Sequence, residues 1–167
     1  VADITYKDVK KISDDAGNIT EEVTDVAAVV FNNTYKITGE ADVIIEGLKI
    51  FEKYSLKDNK FTFILSDHRM ESLKIAQNDE NGRFSFSIHC DPSFVGKTTT
   101  YYVTERNENK QGIIYDETIY KIEVTAEDNN RGGIAVSVTV NGEAYDPDKE
   151  QIVFKNYFHF EPPEKPK

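Results

Sequence analysis

Period-2 alternation runs through most of this 167-residue chain and restricts its fold more than any other feature. Segments rich in Val, Ile, Thr, Tyr and Phe are broken by Asn, Asp and Gly clusters, the pattern of short strands joined by turns. The alternation predicts strands at 42–51, 60–66, 83–88, 99–105, 117–127, 133–140 and 151–159. Turn chemistry separates them at Lys57-Asp58-Asn59, Asn78-Asp79-Glu80-Asn81-Gly82, Asn129-Asn130-Arg131-Gly132-Gly133 and Asn141-Gly142. About seven strands at this spacing predict an all-β, antiparallel sandwich of immunoglobulin-like class.

Composition closes off several functions. A formal charge of −10 and a pI near 4.8 leave no basic stripe to neutralise phosphates, so no nucleic acid partner is expected. The apolar runs are a handful of residues long, and no membrane span is expected. The lone Cys90 rules out an internal disulfide framework. His68, His89 and His159 lack metal-ligand spacing, and Asp128-Asn129-Asn130 and Asp146-Pro147-Asp148 read as turns rather than calcium loops. Neither a metal nor a cofactor is expected.

Organisation along the chain is less uniform. Residues 1–36 carry an Asp14-Asp15-Ala16-Gly17-Asn18 turn. They are read as the last strands of a preceding, truncated domain, with an integral N-terminal hairpin of the same domain as the alternative. Residues 37–160 form the sandwich, and 161–167 are a Pro-rich linker that cannot continue a ladder.

Two segments echo one another: Val29-Val30-Phe31-Asn32-Asn33-Thr34-Tyr35 and Ile152-Val153-Phe154-Lys155-Asn156-Tyr157-Phe158. Both read as strands ending in Phe-x-Asn, and an amide in phase with buried apolar residues costs roughly 1–3 kcal/mol if left unpaired. Strand parity finds two more such residues. Lys49 is in phase with Val43, Ile45 and Phe51, Glu105 with Tyr101 and Val103, and Asn156 with Ile152, Phe154 and Phe158. Each also fits a strand end at the rim, where a lysine reaches water.

Six segments in order resemble the isopeptide-containing domain of Gram-positive pilus shaft subunits. They are Gly47-Leu48-Lys49-Ile50-Phe51, Leu56 to Phe63, Asn78 to Phe86, Tyr101-Tyr102-Val103-Thr104-Glu105, Ile114 to Tyr120, and Phe154-Lys155-Asn156. The resemblance implies that the first and last strands are adjacent and that Lys49 and Asn156 join in a spontaneous amide bond. Glu105 would be the promoting acid, donating a hydrogen bond to the Asn156 carbonyl. A buried lysine is a nucleophile because desolvation disfavours its ammonium form, and the same burial keeps a carboxyl protonated.

The function this implies is structural: a module of a pilus or stalk on a bacterial cell surface or wall, partnered by neighbouring domains or subunits. It would act once on itself and is not an enzyme with turnover. Asn33 matches the bond-forming position of the preceding domain and is expected to be unlinked here. Lys149 is a candidate sortase acceptor, although no Leu-Pro-x-Thr-Gly signal is present. Two other readings stay open: an adhesin on the same scaffold binding a host protein or glycan, marked by an exposed aromatic patch or concave face, and an uncrosslinked sandwich accessory to a secreted enzyme.

Overall fold

The computed structural model describes residues 2–4, 7–25, 29–31, 33–160 and 162–167, with side-chain burial for 8–23, 33–160 and 162–167. Asn32 of the first Phe-x-Asn segment, residues 26–28 leading into it and Glu161 of the Pro-rich segment therefore lie outside the described residues. The chain divides into two compact units, Val1–Lys36 and Ile37–Lys167.

In the first unit, β1 (Ala2–Ile4) pairs antiparallel with β4 (Val29–Phe31), and β2 (Lys7–Ser13) with β3 (Ile19–Asp25). The Asp14 carboxylate closes the β2–β3 turn by accepting from the main-chain N–H groups of Ala16 and Asn18. Gly17 takes the positive φ of 85° that this tight reversal needs.

The described residues of the second unit form ten strands. These are β5 (Ala41–Phe51), β6 (Thr62–Ser66), β7 (Ser72–Gln77), β8 (Arg83–Cys90), β9 (Lys97–Glu105), β10 (Ile113–Ile114), β11 (Tyr120–Asp128), β12 (Ile134–Val140), β13 (Glu143–Ala144) and β14 (Val153–Phe158). One sheet has the order β10-β14-β5-β8 and the other β13-β12-β11-β9-β6-β7. The inward-facing residues of both sheets form a single core, which includes Ile45, Phe63, Phe84, Val103, Ile122 and Phe154. Phe63 of one sheet stacks on Phe84 of the other at 3.7 Å between centroids. Gly47, opposite Phe84 in the β5–β8 register, makes room for this ring, since a Cβ there would collide with it.

This is the immunoglobulin-like sandwich the alternation predicts, with its first and last strands adjacent. One pair departs from the antiparallel rule: β14 runs parallel to β5, with Phe154 opposite Lys49 and Asn156 opposite Phe51. A parallel pair needs a long crossover between its strands, and here nearly the whole domain supplies it. Tyr120 fastens the start of β14, its hydroxyl donating to the Val153 carbonyl at 2.7 Å and accepting the Val153 N–H at 3.1 Å.

Boundaries differ from expectation where side chains intervene. The strand expected from residue 117 begins at Tyr120, because Asp116 caps a turn through the Thr118 N–H. β7 has no counterpart among the expected strands. It is an edge strand whose apolar residues Leu73 and Ile75 face solvent, so its pattern does not mark a buried face.

Candidate functional site

Three polar side chains meet inside the sandwich. Lys49 projects inward from β5, Asn156 from β14 beside it, and Glu105 from the end of β9 in the facing sheet. Lys49 is 1% exposed and Asn156 0%, and the Glu105 side chain is fully covered. All three are therefore held by inward parity and covered from solvent, Glu105 at the very end of its strand included.

Their contacts are close. Glu105 Oε1 lies 2.8 Å from Lys49 Nζ, and Lys49 Nζ also donates to Glu105 Oε2 at 3.0 Å. Asn156 Nδ2 donates to the same Oε1 at 2.9 Å. One carboxylate oxygen thus touches both the amine and the amide nitrogen. The Asn156 carbonyl oxygen accepts the main-chain N–H of Asp116 at 2.8 Å. That N–H can only donate, so the atom facing it is oxygen and the amide nitrogen must face Glu105. The expectation that Glu105 donates to the Asn156 carbonyl is corrected by this geometry.

The surroundings are aromatic. The Phe61 ring sits 4.5 Å from Lys49 Nζ and meets Phe51 edge-to-face at 5.3 Å. Burial pushes the Lys49 amine below its ordinary value, against the opposing pull of Glu105, and pushes the Glu105 carboxyl up, against its bonds to Lys49 and Asn156. Both shifts favour passing the proton from amine to carboxylate. The arrangement presents an amine and a carboxamide, each in contact with one shared carboxylate that can carry a proton between them.

The family model of the Spy0128-like isopeptide containing domain, FctA, matches residues 45–159, which hold all three side chains. The chain belongs to this family. No curated protein matches it. The solved structures similar to it include the major pilin protein T-13 of Streptococcus pyogenes, 18% identical with a TM-score of 0.42, covering 73% of this chain and 53% of that one. A mutant of the major pilin from Streptococcus pyogenes is 17% identical with a TM-score of 0.41, covering 72% of this chain and 51% of that one. The chain spans about half the length of these pilins.

Within this isopeptide containing domain, the residue that sequence reasoning passed over is Asp116. Its carboxylate accepts from Thr118 N–H and Oγ1 through Oδ1 and from the Lys155 N–H through Oδ2, at 2.9, 2.6 and 2.8 Å. The only signal was the Asp-x-Thr spacing of a side-chain-capped turn.

The other candidates take no part in the hydrogen bonds of the triad. Lys149 is an exposed turn residue 3.7 Å from the Asp146 carboxylate. Asn33 is exposed. The oxygens of Asp128, Asn129 and Asp146 accept N–H groups of their own turns, and no metal-binding cluster of His, Cys, Asp or Glu occurs among the described residues. His89 pairs with Asp42 at 2.8 Å, which raises its pKa, and Cys90 is buried. Ile114, Phe158 and Phe160 are exposed around a shallow depression at the end of β14.

Proposed function

We propose that residues 37–160 are a structural module of a bacterial cell-surface pilus or stalk, closed by a spontaneous amide bond between Lys49 and Asn156 and promoted by Glu105. The observation that carries this reading is Glu105 Oε1 in contact with both nitrogens that must exchange a proton. Stability does not account for such a pair, because a buried ion pair is often no better than apolar residues of the same volume.

The reaction balances within the site. Lys49 Nζ gives a proton to Glu105, and its lone pair attacks Asn156 Cγ while the carbonyl electrons move onto Oδ1. Glu105 delivers its proton to Nδ2 and takes one from Nζ. Collapse of the intermediate breaks the Cγ–Nδ2 bond and releases ammonia, leaving a secondary amide and a protonated Glu105. Proximity lowers the barrier by about 7–11 kcal/mol. The protein is both catalyst and substrate, and the reaction occurs once.

The bond would tie the first strand to the last. Tension entering at β5 and leaving at β14 would pass from Lys49 to Asn156 without loading the strands between them. An amide, unlike a disulfide, is indifferent to thiol redox potential, which suits an extracellular fibre. In this reading the partners are neighbouring domains or subunits, Lys149 is the candidate acceptor for their attachment, and residues 1–36 are the end of a preceding domain with Asn33 in the bond-forming position. The depression at the end of β14 supports an interaction surface but specifies no host protein or glycan, and an adhesin has no need of the buried triad.

Single-molecule pulling through residues flanking 37–160 tests the mechanical role. The linked module should show no release of the enclosed segment, whereas Lys49→Met should lengthen by roughly 350 Å for about 100 freed residues. Equal lengthening in both would exclude a load-bearing crosslink.

A further inference from the structure

We propose that Asp116 is a second working part of the bond-forming site: its main-chain N–H stabilises the oxyanion on Asn156 Oδ1, and its carboxylate holds that N–H in place. This rests on the Lys49–Asn156 condensation proposed above.

The attack of Lys49 pushes an electron pair onto Oδ1, which needs a donor within about 2.7–3.1 Å. Glu105 does not supply it, since its oxygens are engaged by Lys49 Nζ and Asn156 Nδ2. The Asp116 N–H stands at 2.8 Å. The oxyanion donor and the proton carrier are thus two different groups, one on each side of the amide.

The chemistry of position 116 fits an anchoring carboxylate. Oδ1 closes the turn to Thr118, and Oδ2 reaches the N–H of Lys155, the residue before Asn156 on β14. The loop that carries the donor is thereby bolted to the strand that carries the acceptor. Ile113 and Ile114 of β10 pair with Phe158 and Tyr157, fixing the same loop from its other end. Asparagine would close the turn but has a single acceptor oxygen, so it cannot also receive the Lys155 N–H. The carboxylate carries an electrostatic disadvantage: its charge favours the unreactive ammonium form of Lys49. A charge that opposes the reaction is retained where its second oxygen is needed for geometry.

That opposition gives a test with opposite signs. Cell-free translation of wild type, Asp116→Asn and a chain bearing the α-hydroxy analogue of Asp at 116, which replaces only the N–H by an ester oxygen, would be followed by intact mass. The ester should lose ammonia about 100-fold more slowly than wild type. Asp116→Asn should also be slower, although removal of the charge alone makes Lys49 more nucleophilic. Ester and Asp116→Asn chains that react at or above the wild-type rate would overturn the assignment while leaving the crosslink intact. If the ester chain fails to fold by circular dichroism, the sign of the Asp116→Asn effect decides. A wild-type chain that never loses ammonia would overturn the condensation itself, and this proposal with it.

Discussion

Lys49 and Asn156 sit one diagonal step apart on the parallel pair β5–β14, with Lys49 opposite Phe154 and Asn156 opposite Phe51. Both point to the core face, so a lysine side chain can span the step and bring Nζ to the carboxamide. Had the pairing slipped by one residue, one partner would have faced away from the core.

Lys49→Met keeps the apolar stem and removes the amine. The mutant should fold with its full sequence mass and melt lower by on the order of 10–20 °C, from about 4–5 kcal/mol of lost loop constraint. Calorimetry on wild type and mutant checks this. Melting points within a few degrees would show that the two residues impose no covalent constraint.

Glu105→Gln keeps the shape of the site but cannot carry a proton. Crosslinking should slow by roughly 10²–10⁴-fold, the usual worth of a positioned acid–base group. Freshly folded protein followed by mass over days gives the rate. Wild-type kinetics in this mutant would remove Glu105 from the chemistry.

The rate should be bell-shaped in pH. The reactive pair holds one shared proton, and a second proton leaves Lys49 as ammonium and stops attack. Because burial raises Glu105 above the ordinary 4.5, that second proton binds earlier than usual as pH falls, and the acid limb should lie above 4.5. Burial also lowers Lys49 below 10.5, so the last proton is lost earlier as pH rises and the alkaline limb should lie below 10.5. An acid limb at or below 4.5 would contradict the burial argument.

Gly82 supports Lys49 from behind. Its carbonyl accepts the Lys49 N–H at 2.7 Å, its φ is +84°, and a Cβ there would run into the Lys49 carbonyl. Gly82→Ala should cost about 1 kcal/mol or more from strain alone and shift the Lys49 backbone. Both a lower melting point and slower ammonia loss are expected, measured on the same preparation. A mutant unchanged in both would show that the turn does not position Lys49.

Much of the site was legible because a strand has a period of two. Lys49, Glu105 and Asn156 each shared parity with apolar residues, and burial follows that parity. Parity says nothing of how an amide is turned, and the contact of Glu105 with Nδ2 rather than Oδ1 depends on a main-chain N–H from another loop. Asp116 was hidden for the same reason: its contribution lies in backbone geometry, which side-chain patterns do not encode. Phe158 shares the parity of Asn156 yet is 43% exposed, because β14 runs on past the end of the core. The apolar alternation of β7 faces solvent, so it gave no sign of a buried strand.

The most direct measurement is the intact mass of the denatured chain, followed by fragmentation of its proteolytic peptides. The account predicts a mass about 17 Da below that of the sequence, one ammonia lost, and a branched peptide joining Lys49 to Asn156. A chain of full sequence mass, with Lys49 and Asn156 recovered in separate unmodified peptides, would contradict it.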